Sequence, residues 1–258
     1  DSSIHRTPLH YASESGHLEV VQALVDAKAS VNLKDMTKWP PLYHAARNGH
    51  TAIVRILLDA KAALDVGEDD EQRTPLHFAA EHGYTEVAQL LVDARADVDA
   101  KDAFYLRTPL HVASLYGHTA IVQILVDAKA DIDIQELSEY TPLHHAAEKG
   151  HTEIAKILID HKADLERKAK ANWTALHAAA HDGHDAIVRL LVDAKADLHL
   201  RTTATWTPLH HASCNGHAAA AQVLLDAKAH VDASDSDYMT SLYFAVENDH
   251  KSVVKVLV

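Results

Sequence analysis

The chain contains 22 histidines and one cysteine, the side chains best suited to metal or nucleophilic chemistry. Six histidines close a recurring tetrapeptide: His10, His77, His111, His144, His177 and His210. Seven more follow a second recurring position: His17, His50, His118, His151, His184, His217 and His250. A metal site would call for a His-Glu-x-x-His pair or a cysteine cluster, and neither is present. Cys214 lies close to His210 and His211, and a Cys–His pair could supply a nucleophile. Yet the histidine of position 210 recurs in segments without cysteine, so it needs no catalytic explanation. There is no glycine-rich loop to cradle phosphate. The expectation is therefore no catalytic residue, no metal and no cofactor. The sequon Asn172-Trp173-Thr174 would matter only in a secreted chain.

Composition narrows the classes further. The 258 residues are 47% apolar, as in a globular protein, with 3 Phe and 3 Trp beside abundant alanine. Such a core suits closely packed helices. The net charge of −13, with no block of Lys or Arg, argues against nucleic acid, whose affinity rests on phosphate neutralisation. A single cysteine excludes an internal disulfide and fits a reducing compartment, the cytoplasm. No apolar run approaches the roughly 18 residues of a membrane span, and no signal peptide opens the chain.

What must position the histidines is a repeat. "TPLH" occurs at 7–10, 74–77, 108–111, 141–144 and 207–210, with "PPLY" at 40–43, "TALH" at 174–177 and "TSLY" at 240–243. The eight starts, at 7, 40, 74, 108, 141, 174, 207 and 240, are 33 or 34 residues apart. That period predicts a solenoid whose units bury their faces against their neighbours. Within each unit, Thr is placed to cap a helix and Pro occupies its first turn. A glycine seven residues after the Leu, as in Gly16 and Gly150, ends that short helix. A second, apolar helix follows, with Thr51, Thr85, Thr119, Thr152 or Asp185 expected as its N-cap. The Asp of the recurrent "DAK" reads as a solvated outer face. A variable turn or hairpin finger leads to the next unit.

These residues carry a resemblance. The pattern "TPLHxAAxxGHxxIVxxLVDAxADV" is similar to the ankyrin repeat, in register through all eight units over 1–258. The resemblance implies an all-α solenoid of helix-turn-helix units with projecting fingers and a concave, protein-binding groove. It also implies that the histidines bridge backbone groups in loops and between neighbouring units. Two departures bear on structure. Where family repeats carry glycine after the second helix, this chain has Lys28, Lys61, Arg95, Lys129, Lys162, Lys195 and Lys228. Either these residues sit at positive φ, at about 1 kcal/mol each, or the helices end in another geometry. The fingers also lack the glycine of "DGxTPLH", so they are expected to turn differently.

The eight copies supply an internal comparison: fixed letters pack the stack, and scattered letters are free for recognition. The position before the Thr reads Arg6, Trp39, Arg73, Arg107, Tyr140, Trp173, Trp206 and Met239. Trp, Tyr and Arg dominate binding hot spots, although rings at this position could merely shield the stack. The end of the first helix also scatters, including Arg47, His82, Lys149 and His181, and in the fourth unit it becomes Leu115-Tyr116 after the finger Phe104-Tyr105-Leu106. The position after the motif histidine, with His44, His145 and His211, is expected to form the groove floor. A partner is expected around the third to fifth units, anchored by Tyr105, Arg107, Leu115, Tyr116 and Tyr140. Trp39, Arg47, Arg73, His82, Lys149, Trp173, His181 and Trp206 extend that contact.

The resulting function is a non-catalytic protein-binding scaffold, expected to be monomeric. The near-identical "LVDAKAD" segments with divergent fingers resemble designed ankyrin binders, which would make the chain recombinant. Drift in the second helices and fingers fits a natural recognition domain instead. The alternative is a substrate-recruiting domain of a larger enzyme or host-interaction protein. The last unit, with Asn248-Asp249 at the turn and Lys251 and Lys255 on its second helix, reads as a polar cap.

Overall fold

A computed structural model describes residues 5–64 and 71–258. The chain divides into two compact units, meeting in sequence at Asp131 and Ile132. The first holds α1 (Pro8–Ser15), α2 (Leu18–Asp26), α3 (Pro41–Arg47), α4 (Thr51–Asp59), α5 (Pro75–His82), α6 (Thr85–Asp93), α7 (Pro109–Tyr116) and α8 (Thr119–Asp127). The second holds α9 (Pro142–Lys149), α10 (Thr152–Asp160), α11 (Ala175–Asp182), α12 (Asp185–Asp193), α13 (Pro208–Cys214), α14 (Ala218–Asp226), α15 (Ser241–Glu247) and α16 (Lys251–Leu257). In each unit the odd helices form one packed row and the even helices another. The expected all-α, paired-helix architecture is what the chain adopts.

The repeat letters explain the stacking. The motif leucines Leu9, Leu42, Leu76, Leu110, Leu143, Leu176 and Leu209 are all at most 1% exposed. Burying each contributes roughly 1.5–3 kcal/mol against leaving it in water. The even helices bury Ile53, Val54 and Leu57, or Ile187, Val188 and Leu191, on one face. On the other face of α2, α6, α8 and α14, a glutamine amide donates to the aspartate four residues on, as Gln123 does to Asp127 at 2.9 Å. That places the "DAK" aspartates at the solvated surface, as expected.

The second helices begin differently from the expectation. Thr51, Thr85, Thr119, Thr152 and Asp185 are the first helical residues, and the N-cap is His50, Tyr84, His118, His151 or His184. The reason is the tight turn before them. His50, at φ −78 and ψ 72, has the dihedrals of an inverse γ-turn, and the Thr51 N–H donates to the Gly49 carbonyl at 2.9 Å.

The seven residues in place of the glycine after the second helix do adopt left-handed backbone, from Lys28 at φ 63 to Lys195 at φ 72. A cation near a helix C-terminus offsets part of that strain through the helix dipole. The fingers overturn the second expectation. At the position of the family's glycine, Lys38, Gln72, Leu106, Glu139, Asn172, Thr205 and Tyr238 all stand at positive φ. The turn is kept and a side chain is forced through it, because backbone bonds close the loop across that residue. Asp35 N–H donates to Trp39 O at 3.1 Å and Thr202 N–H to Trp206 O at 2.9 Å. Single backbone bonds also tie finger to finger, as from Thr203 N–H to Ala171 O at 2.8 Å. The fingers are turns rather than strands; among the described residues one isolated bridge pairs Ser234 with Thr240.

Candidate functional site

Histidines of both sets act as structural linkers. The backbone N–H of Thr74 donates to Nδ1 of His77 at 3.1 Å, and Thr141 does the same to His144 at 3.2 Å. An Nδ1 that accepts leaves the proton on Nε2, which donates to a carbonyl of the following repeat: Arg107 O for His77 at 2.9 Å, and Trp173 O for His144 at 3.2 Å. Burial disfavours the imidazolium, and a proton on Nδ1 would face the Thr N–H. His77, His144 and His177 are accordingly pushed down to about 4. The second set reaches the other way: His50, His118 and His184 each donate to Glu14 O, Glu81 O or Glu148 O of the preceding repeat, all at 3.0 Å. These contacts are the backbone bridges that the resemblance implies.

The same bonds hold the backbone of the variable residue before the Thr. Trp39 O accepts from Asp35 N–H in its own finger and from His10 Nε2 of the preceding repeat. Arg107 O likewise accepts from Asp102 N–H and His77 Nε2, and Trp173 O from Ala169 N–H and His144 Nε2. Fixed residues therefore grip the main chain of this column while its side chain is free to vary.

Side chains of the column lie over the position five residues on, as Trp39 over His44 and Trp206 over His211, and over its counterpart in the next repeat, as Trp39 over Phe78. His44, Phe78, Val112, His145, Ala178 and His211 are all between 1% and 6% exposed. The cover of His44, Phe78, His145 and His211 is aromatic or cationic. Trp39 meets Phe78 with ring centroids 5.2 Å apart, Tyr140 meets His145 at 5.3 Å, and Trp173 meets His211 at 4.6 Å. Trp39 is itself buried beside Tyr43 and Phe78, so for this indole the shielding role holds. Trp173, Trp206 and Tyr140 remain half-buried.

Arginines complete the first unit. Arg6 lies 5.3 Å from the centre of the Tyr11 ring, Arg73 lies 4.6 Å from that of Phe78, and Arg107 lies 4.5 Å from that of Tyr105. Arg47 covers Trp39 at 5.3 Å. The signal in the sequence is an arginine five residues before a ring, as in Arg6 and Tyr11 or Arg73 and Phe78. Arg6 also pairs with Glu14 at 2.7 Å and with Asp35 at 3.3 Å, and His44 meets Asp35 at 2.9 Å. Burial alone would raise the Asp35 carboxyl, but hydrogen bonds from Thr37, His44, the Trp39 N–H and Arg6 hold it at about 2.

The remaining expected contacts lie at the surface of their own units. Tyr105 is 53% and Tyr116 51% exposed, with Phe104 and Leu106 exposed beside Tyr105. Leu115 is half-buried, whereas Arg47, His82 and Lys149 are exposed. Lys149 pairs with Glu148 at 3.5 Å and half-buried His181 with Asp182 at 2.8 Å. Cys214 Sγ accepts from the Asn248 side-chain amide at 3.8 Å. Burial raises its thiol first of all, with the Glu247 charge adding to it, while His210 is committed to Thr207 N–H and Met239 O. Among the described residues no helix is long and apolar enough to cross a membrane.

The fold and its histidine bridges define a helical-repeat protein. The ankyrin repeat family matches residues 9–102, 110–202 and 196–258 as three copies of its repeat block, and the chain belongs to that family. Among solved structures it is similar to the ankyrin repeat domain of Bcl-3, described as a unique member of the IkappaB protein family. The two are 29% identical, over 79% of this chain and 92% of that one, with a TM-score of 0.70. Comparison with curated protein sequences finds no match.

Proposed function

We propose that the chain is a non-catalytic scaffold that recognises a protein partner through its finger tips and the ends of its first helices. One observation carries this reading: the stack pins the carbonyls of Trp39, Arg107 and Trp173 twice over and leaves their side chains to differ. A rigid main chain with interchangeable hot-spot residue types is economical for recognition, because little side-chain freedom is lost on binding.

The anchor is assigned to the fourth repeat. Phe104, Tyr105, Leu106 and Tyr116 are all at least 40% exposed, where single exposed apolar residues would be ordinary. Three of them, Phe104, Tyr105 and Leu106, are consecutive in one finger, and adjoining exposed apolar residues mark an interaction site. Asp102 accepts from the Tyr105 N–H at 2.8 Å, and Arg107 covers the Tyr105 ring, so the finger is held before any partner arrives. Leu115 completes the anchor within the first unit, where Arg73 and His82 are its polar surround; Tyr140, Lys149, Trp173, His181 and Trp206 are candidate contacts of the second unit.

Affinity capture followed by mass spectrometry tests the proposal, with Tyr116→Ala and Trp173→Ala chains in parallel. A partner retained by the native chain and lost from a folded Tyr116→Ala chain supports it. A partner retained equally by both removes the fourth-repeat anchor.

A further inference from the structure

The two units treat their aromatic rings differently. In the first, Tyr11, Trp39, Phe78 and Tyr105 each lie under an arginine of the chain itself. In the second, no arginine or lysine lies over Trp173, Trp206 or Phe244 among the described residues. The cause is in the variable column: three of its four places are arginine in the first unit (Arg6, Arg73, Arg107), and none is in the second. The rings are there without their cations.

What surrounds these rings suits a cation. Trp206 stands 4.4 Å from Phe244 and 5.1 Å from His211, which stands 4.6 Å from Trp173. His211 is 6% exposed and its Nε2 has no hydrogen-bond partner. Burial first, and the neighbouring His177, His181 and His210 second, push it down to about 3, so no positive charge sits beneath the indoles at neutral pH. Carboxylates stand around the row. Asp235 accepts from the Trp206 indole N–H at 3.1 Å, which enriches the ring face in electrons. Asp182 holds His181, whose ring meets Trp173 at 5.3 Å. Glu247 accepts from the Tyr243 hydroxyl, and the Tyr243 ring meets Phe244 at 5.4 Å. The nearby Arg201 is tied to Thr205 O at 2.8 Å and Ser234 O at 2.7 Å.

We infer that the half-buried indoles of Trp173 and Trp206, bridged by His211 and edged by Asp182, Asp235 and Glu247, receive the cationic side chains of a basic, extended segment of a protein partner. The inference rests on the protein-binding reading and adds the chemistry of the partner. The bound guanidinium or ammonium group takes the place over each indole that arginine fills in the first unit.

The test titrates the full chain with a decapeptide of alternating arginine and glycine, by calorimetry and tryptophan fluorescence at low salt. A citrulline–glycine peptide keeps the shape and loses the charge, and a glutamate–glycine peptide reverses it. The arginine peptide is expected to bind at least about tenfold tighter than the citrulline peptide. Trp173→Leu and Trp206→Leu are each expected to weaken it about three- to tenfold, in line with cation–π energies at partly exposed sites. Trp173→Phe and Trp206→Phe, which keep the core filled and a weaker ring face, should fall between. Equal affinity for the arginine and citrulline peptides, no binding of the arginine peptide, or full affinity in folded leucine variants overturns the inference. If binding instead falls with Tyr105→Leu and not with the indole variants, the inference fails while the protein-binding reading stands.

Discussion

The imidazole of His184 lies against the α-carbon of Gly150, one repeat earlier: a Cβ built on that glycine would stand 2.6 Å from His184 Cε1. The ring is also bonded through Nε2 to Glu148 O at 3.0 Å, so it has little room to withdraw. Gly150 stands at φ 75 as well. One residue therefore meets two demands, a left-handed helix end and a flat seat for the next repeat's ring.

Gly150→Ala violates both. Left-handed strain costs about 1 kcal/mol, and displacing a hydrogen-bonded ring adds a similar amount. The chain is expected to lose roughly 2 kcal/mol, read as a lower urea midpoint with an unchanged slope. A midpoint equal to that of the native chain would show that the ring is not seated as described.

The cations after the second helices give the opposite sign. Lys195 stands at φ 72, so Lys195→Gly relieves strain while giving up the charge at the helix end. The relief is about 1 kcal/mol against 0.3–1 kcal/mol from the dipole, for a net gain of a few tenths of a kcal/mol. Lys195→Ala keeps the strain and loses the charge, so it should be less stable than native. Thermal unfolding of the three chains should rank them Gly, Lys, Ala, and any other order refutes the balance.

The stack was legible because its determinants are local and repeated. Leu9 and its seven counterparts reappear every 33 or 34 residues, the turn glycine stands in seven of the eight repeats and the motif proline in six. The fingers were not, since a missing glycine says only that strain is present. It does not say that the Asp35–Trp39 and Thr202–Trp206 backbone bonds would enforce the turn despite it. The burial of His44 and His211 was likewise hidden, because it depends on rings that arrive from the finger five residues earlier and from the adjacent repeat. The anchor residues Tyr105 and Tyr116 were readable as departures from the repeat, but what meets them is not encoded in this chain.

The neutral histidines set a pH dependence. His77, His144 and His177 take a proton near 4 in the folded chain and His211 near 3, against the ordinary 6.5 when unfolded. Between these values the unfolded chain binds more protons, so stability is full above about 6.5 and is lost as pH falls toward 4. Each histidine contributes a slope on the order of 1.4 kcal/mol per pH unit. Urea midpoints at pH 7, 6 and 5 should fall with increasing steepness. A midpoint flat across that range would mean that the bridges do not hold these rings neutral.

The fourth-repeat anchor predicts a separation of affinity from stability. Tyr105 and Tyr116 are about half exposed, and truncating them removes little of the packed core. Tyr105→Ala and Tyr116→Ala should therefore leave the urea midpoint within about 0.5 kcal/mol of native. Against the captured partner each should weaken binding by on the order of 2 kcal/mol, roughly thirtyfold, through faster dissociation. Because Arg107 lies over the Tyr105 ring, Tyr105→Ala also frees the guanidinium, so the loss for a Tyr105→Ala, Arg107→Ala chain should be less than the sum of the two alone. Surface plasmon resonance on the four chains measures that coupling, and strict additivity would mean that the two side chains meet the partner independently.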